Sequence, residues 1–400
     1  MDSPLPGPRL PRSVLLLSAL FALSGIAGII VVTAASVVGL QLSGKESLAT
    51  LPVGLALLGT MATTFPASRL MARHGRRLGF ALGTSIACTG AAVSALAIVR
   101  HEFWLFCAGT FLIGANAGVA PFYRFAAVEL SPGQLRGRAI STVLAGGVAA
   151  GLLGPWLGVQ SADLAPERFV GSYLLMVLVG LLVLLLLSVA RLPPAPVKGA
   201  TIGGRPIGVI AADPRFAAAI LAAAVAMGAM VLTMVAAPLS LKHAGHSLSD
   251  TGYVIQAHVV AMYAPAFFSG RLVERFGTGR IMAGGLTLLG ACVAINLSGD
   301  SVAHHWSALV LLGAGWNFLF VAGTTLLTTT HTDAEKGTVQ GLNDLVVASV
   351  GALAALSAGP AIGNLRWSGL NLTVLTALGL ASLVLLVLGR RPAPRAAATA

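Results

Sequence analysis

Two ionisable side chains, His258 and Asp344, stand inside long apolar runs of this 400-residue sequence, and either could carry a proton. An imidazole changes charge near neutral pH. A carboxylate withdrawn from water favours its neutral form unless a cation pairs with it. His258 would serve equally as a neutral side chain bonded to a neighbouring helix, and Asp344 as a structural partner of Arg73 or Arg124. Two amides, Asn116 and Asn317, lie 201 residues apart near the middle of their runs. They could contact a solute or join helices. Trp316, Gln256 and Tyr123 complete the set that could face a solute, and helix packing or the membrane interface would use the same residues.

Catalysis needs more than this. An enzyme of such a chain would gather acids, histidines or a nucleophile at one membrane depth, whereas His258 and Asp344 fall on opposite sides of the membrane midplane. No catalytic residue is assigned, and the chain is not read as an enzyme. His304 and His305 have no third ligand at a useful spacing, so no metal site is expected. The sequence has no G-x-x-x-x-G-K-[ST] run for a nucleotide phosphate, and no cofactor is implied.

The elements that position these residues follow from composition. Hydrophobic residues make up 56% of the chain and charged residues 10%, against about 25% charge in soluble domains. Such a chain is integral to a membrane. A helix needs about 20 mostly apolar residues to cross the hydrocarbon core. Twelve runs meet this: 15–42, 51–68, 78–99, 103–128, 140–159 and 170–189, then 216–241, 252–270, 281–297, 306–330, 339–362 and 370–388. The expected organisation is an N-terminal six-helix bundle over 1–190, a cytoplasmic linker over 191–215, and a C-terminal six-helix bundle with a short tail over 216–400. The first run is too long for a signal peptide and is read as a span.

The net charge of +12 sits in short loops, which points to topology and away from nucleic acid. With the N-terminus inside, twenty of the 25 Lys and Arg fall on the inner side. That places both termini in the cytoplasm of a cell-membrane protein. Cys88, Cys107 and Cys292 all lie within apolar runs and form no disulfide framework.

The loop after the second run reads Ser68-Arg69-Leu70-Met71-Ala72-Arg73-His74-Gly75-Arg76-Arg77. Gly270-Arg271-Leu272-Val273-Glu274-Arg275-Phe276-Gly277 repeats it after the eighth, with Gly277 202 residues beyond Gly75. This loop resembles the G-x-L-x-D-R-x-G-R-R signature of the major facilitator superfamily, and with twelve runs in two halves the resemblance covers the chain. Ser68 replaces the glycine and Ala72 the acid in the first copy, whereas the second keeps Gly270 and Glu274.

The resemblance implies an all-α integral membrane protein of twelve transmembrane helices in two pseudo-symmetric six-helix bundles. It implies a monomeric secondary transporter that moves a small organic solute by alternating access. The loop residues Arg69, Arg73, Gly75, Arg76, Arg77, Glu274, Arg275 and Gly277 would form a gate or latch, together with Arg124 and Glu129. Glu129 is a candidate partner for Arg73; the arginines would otherwise only enforce topology. Gly154-Pro155 in the fifth run, repeated at Gly359-Pro360, resembles the helix-kink motif of the superfamily's antiporters, though duplication alone would produce both copies. On these residues proton-coupled export or antiport is the leading expectation. Uptake of a vitamin-like solute such as riboflavin is the alternative.

Overall fold

The computed structural model describes residues 10–132, 135–190, 192, 205–332 and 335–389. Helix is the only regular structure among them, as expected where lipid leaves backbone N–H and C=O groups no water to bond. The helices are α1 (Arg12–Ser43), α2 (Glu46–Ala49), α3 (Leu51–His74), α4 (Arg76–Val99), α5 (Phe103–Val119), α6 (Phe122–Glu129), α7 (Arg136–Ala162) and α8 (Val170–Val189). They continue with α9 (Ile207–Ala211), α10 (Pro214–His243), α11 (Leu248–Tyr263), α12 (Ala266–Phe276), α13 (Thr278–Ser298), α14 (Val302–Thr328) and α15 (Lys336–Gly389).

Ten helical stretches among the described residues are long and apolar enough to cross a membrane. The count reaches twelve for two physical reasons. Pro265 divides the eighth span into α11 and α12, because proline has no N–H to continue the ladder. The 54-residue α15 holds two spans, separated where Arg366 takes φ 59° and ψ −179°. The arrangement is that of twelve transmembrane helices.

Several boundaries differ from the sequence expectation. Residues 191 and 193–204 of the expected linker, and the tail 390–400, lie outside the described residues. The rest of the linker is structured. α9 occupies part of it, and Asp213 caps α10 by accepting the N–H of Arg215 at 2.9 Å. His304 and His305, expected in a loop, stand in the first turn of α14, whose cap is Ser301.

The chain forms two compact units. One comprises Met1–Leu42 and Leu55–Val197, the other Ser43–Gly54 and Lys198–Ala400. The first has a core of Leu17, Met71, Phe80, Tyr123, Val143 and Leu187. α4 and α5 approach until a Cβ on Gly90 would lie 2.5 Å from the carbonyl oxygen of Gly109. Small residues at such crossings give membrane helices their packing contacts. In the second unit Thr50 enters the backbone ladder of α15: its Oγ1 donates to the Ala355 carbonyl at 3.0 Å and accepts the Gly359 N–H at 2.7 Å. A Cβ on Gly359 would meet that oxygen at 2.8 Å, so the Gly359-Pro360 pair stands where a side chain interrupts the helix.

Candidate functional site

The two pseudo-symmetric amides have different surroundings. Asn116 on α5 is buried; its Nδ2 donates to the Ser24 carbonyl of α1 at 3.2 Å. Its Oδ1 accepts from Thr84 Oγ1 of α4 at 3.4 Å. Both ends of that amide are engaged, beside a cavity of 20 Å³. That is about the space one water needs. Asn317 on α14 donates Nδ2 to the Met262 carbonyl at 3.0 Å. Met262 lies three residues before Pro265, so this amide satisfies a carbonyl at the break in the eighth span. Its Oδ1 is buried and has no hydrogen-bond partner.

Trp316, the neighbour of Asn317, is half-buried and stacks on Phe320 one turn later, with ring centroids 4.9 Å apart and planes 12° from parallel. Its indole Nε1 also lacks a hydrogen-bond partner. Gln256 is half-buried on α11. Tyr123 is fully buried in the first unit, and one face of its ring is covered by Phe80 at a centroid distance of 4.0 Å.

Of the two ionisable residues, His258 is sealed at 0% exposure between α11 and α14. Its Nδ1 lies 2.8 Å from the Leu309 carbonyl, and a carbonyl can only accept, so the proton of the neutral ring sits on Nδ1. Nε2 is buried and unpartnered. Asp344 on α15 is exposed, and its Oδ1 accepts from Asn343 Nδ2 at 3.2 Å.

The repeated loops share an unusual backbone. Gly75 takes φ 88° and ψ 162°, and Gly277 takes φ 81° and ψ 156°. That region is essentially open to glycine alone. In each copy the glycine N–H closes the preceding helix, Gly75 on Met71 at 3.0 Å and Gly277 on Val273 at 2.8 Å. Each glycine then starts the next helix. The motif glycine is therefore a backbone device that turns the chain between two spans.

The ion pair of the first loop differs from expectation. Glu129 is held by Arg76, with Nη2 to Oε1 at 2.6 Å and Nε to Oε2 at 3.4 Å, and not by Arg73. The turn at Gly75 makes Arg76 the first residue of α4, where its guanidinium reaches the end of α6; Arg73 is exposed. Arg77 donates to the Ala190 carbonyl at the end of α8. Arg69 and Arg124 lie over Phe65 and Phe125 at 4.3 and 4.9 Å. In the second copy Glu274 and Arg275 are exposed, and Arg275 lies 5.2 Å from the Phe276 ring. Gly154 of α7 faces Ile29 of α1 at a distance that leaves no room for a Cβ, so Gly154-Pro155 stands at a close helix crossing.

One ion pair had no signal in the sequence. Glu335, 4% exposed, accepts from Arg205 Nε at 2.8 Å and Nη2 at 2.9 Å, and from the backbone N–H of Arg205 and Thr332. Arg205 Nη2 also reaches the Thr330 carbonyl at 3.0 Å. The Arg205 guanidinium, with those backbone donors, holds the Glu335 carboxyl far below the usual carboxylate range. Arg205 stands 130 residues from Glu335, so only the folded chain joins them.

Known proteins agree with this architecture. The family model of the Major Facilitator Superfamily matches residues 15–356 and 219–400. The riboflavin transporter RfnT of Brucella anthropi is 37% identical over 390 residues, covering 97% of both chains. The uncharacterized MFS-type transporter YdeG of Bacillus subtilis is 29% identical over 378 residues, 90% of this chain and 87% of that one. A crystal structure of a bacterial homolog to the human lysosomal transporter Spinster superposes with a TM-score of 0.68 at 17% identity, over 96% of this chain and 98% of that one. With twelve spans, a duplicated glycine turn and a family match along its length, this chain is a multi-pass membrane transporter, not an enzyme, and belongs to the major facilitator superfamily.

Proposed function

We propose that this chain transports riboflavin, or a flavin of the same shape, into the cell by alternating access. The observation that carries the reading is the 37% identity to a riboflavin transporter over 97% of both chains. The chemistry is compatible. A flavin is a neutral, flat aromatic system with one polar edge, and it asks for stacking surfaces and a few hydrogen-bonding groups, not paired charges. Trp316 with Phe320 offers the stacked aromatic surface, and Asn317 Oδ1 a buried acceptor still without a donor. Asn116, with both ends of its amide engaged, serves as a helix staple. Tyr123 is read the same way.

Export by antiport drew on Gly154-Pro155 and Gly359-Pro360. The close helix crossing at Gly154 and the Thr50 insertion at Gly359 give both a packing reason that needs no antiport. For coupling we assign the proton to Asp344, which is exposed, and packing to His258, which is fully buried. The excess of Lys and Arg on one side supports a topology with both termini in the cytoplasm.

The test is radiolabelled riboflavin flux in proteoliposomes, with growth of a riboflavin auxotroph at limiting vitamin as the cellular readout. Saturable entry competed by unlabelled riboflavin, and restored growth, are expected. An imposed inward proton gradient should drive accumulation, and Asp344→Asn should abolish accumulation while sparing exchange. Flux of riboflavin in neither direction would overturn the substrate. Net efflux from loaded cells would overturn the direction.

A further inference from the structure

A cavity of about 780 Å³ belongs to the second unit and touches none of the residues assigned to the solute. It opens where the starts of α10 and α13 meet the ends of α14 and α15. Its mouth and its shaft differ in chemistry.

At the mouth stand Arg215 and Thr278. Thr278 is the first residue of the 21-residue α13, whose N-cap is Gly277 and therefore supplies no capping side chain. The first N–H groups of a helix have no intrahelical partner and carry its positive end. Arg280, in the same turn, is exposed. Asp213 pairs with Arg215, its Oδ2 3.1 Å from Nη2 and its Oδ1 3.3 Å from Nε. With Arg215 paired, the exposed Arg280 beside the cavity and the uncapped start of α13 leave this end electropositive.

The shaft is apolar, walled by Met282, Leu286, Leu326 and Leu385. It runs onto a face of α15 that displays Leu383 and Leu386 at 60% and 62% exposure, a surface suited to lipid. A cationic mouth over an apolar shaft in a membrane protein matches an amphiphile with an anionic head.

We propose that this groove binds an anionic phospholipid, its phosphodiester at Arg215 and the start of α13 and one acyl chain in the shaft beside Met282 and Leu286. The arginine-rich end faces the cytoplasm in the topology proposed above, where anionic lipids attract basic residues. The site would tie α13 and the end of α15 to the inner leaflet, apart from the solute path.

The experiment is native mass spectrometry of the full chain, released from detergent in equal amounts of phosphatidylglycerol and phosphatidylcholine. One retained phosphatidylglycerol per chain is expected. Arg215→Gln should cut its preference over phosphatidylcholine about fivefold, the worth of one basic residue near an anionic surface. Ala283→Trp, at an exposed position on the groove wall, should reduce retention of either lipid. Unfolding temperatures without added lipid confirm that both variants fold. Equal retention of the two lipids by the wild type overturns the proposal, as does unchanged retention in both variants. A rise in unfolding temperature with glycerol phosphate equal to that with phosphatidylglycerol would make this a simple anion site. Retention only after deletion of 390–400 would make that tail the occupant. Riboflavin flux plays no part in the readout, so the two proposals stand or fall separately.

Discussion

Replacing Gly277 by alanine isolates what the duplicated loop does. The backbone there sits at φ 81° and ψ 156°, and a Cβ built on it meets nothing within 4 Å. The substitution therefore creates no clash, and any loss is conformational. Holding an L-residue in that region costs about 1–3 kcal/mol. For a cooperative unit of 150–250 residues that corresponds to a fall of roughly 2–12 °C in unfolding temperature, at about 2–4 °C per kcal/mol. Gly284 is the control, because it lies within α13 at ordinary helical dihedrals and its Cβ would also meet nothing within 4 Å. Alanine there should stabilise by about 0.4–1 kcal/mol through the unfolded chain. Two Gly→Ala changes seven residues apart should thus move stability in opposite directions.

The assay is thermal unfolding of purified protein in one detergent, followed by tryptophan fluorescence. Gly277→Asn is the informative third variant. Asparagine tolerates the left-handed helical region near ψ +47°, which is far from ψ 156° at this turn. It should therefore not rescue. A Gly277→Ala protein as stable as the wild type, or a Gly284→Ala protein as damaged as Gly277→Ala, would refute the backbone argument.

Glu335→Gln should lower unfolding temperature at pH 7. Because the folded carboxyl is depressed below its ordinary 4.5, its stabilising effect is complete above that value and is lost as pH falls toward the folded pKa. The gap between wild type and variant should hold from pH 7 to 5 and shrink below about 4.5; a gap independent of pH down to 3 would contradict the ion-pair account. Thr50→Val keeps the shape of a fully buried side chain and strands the Ala355 carbonyl and Gly359 N–H, a loss of about 1–3 kcal/mol in an unfolding titration. Thr50→Ser should recover most of it. Asn317→Leu should lower stability by about 0.6–1.7 kcal/mol and weaken riboflavin binding; lost stability with unchanged affinity would reduce Asn317 to a patch on the α11 break.

The spans were legible because lipid enforces one simple rule, about 20 apolar residues for each crossing, and the charged loops mark the ends. The division of the eighth span was not, although Pro265 was in plain view, since proline bends some membrane helices and is absorbed in others. Pro66 and Pro155 lie inside continuous helices of the same chain. Whether the helix breaks at Pro265 depends on whether another helix can take up the freed carbonyls, and that is a tertiary fact. The same limit hid Thr50 and the Arg205–Glu335 pair. Nothing local distinguishes a threonine that enters a distant helix 305 residues away from one that faces lipid. Glu129 shows the intermediate case: its membership of the loop network followed from position, but its partner turned on the dihedral angles at Gly75, which move Arg76 and not Arg73 into reach.

The amides make the sharpest contrast. Asn116 and Asn317 are matched in sequence, and a symmetric solute contact follows naturally from that spacing. The duplication preserved the glycine turns, whose geometry depends on backbone alone and agrees within 7° in φ and 6° in ψ. It did not preserve what the amides touch. The second span runs unbroken through Pro66, whereas its counterpart, the eighth, breaks at Pro265. Only Asn317 therefore bonds a carbonyl of such a break, and it leaves a buried Oδ1 unmet. A pseudo-symmetric frame must open to either side, but a flavin has no two-fold symmetry to share between two equal amides. On the proposed reading, the backbone symmetry serves the motion, and the chemistry that selects the solute lies where the halves have diverged.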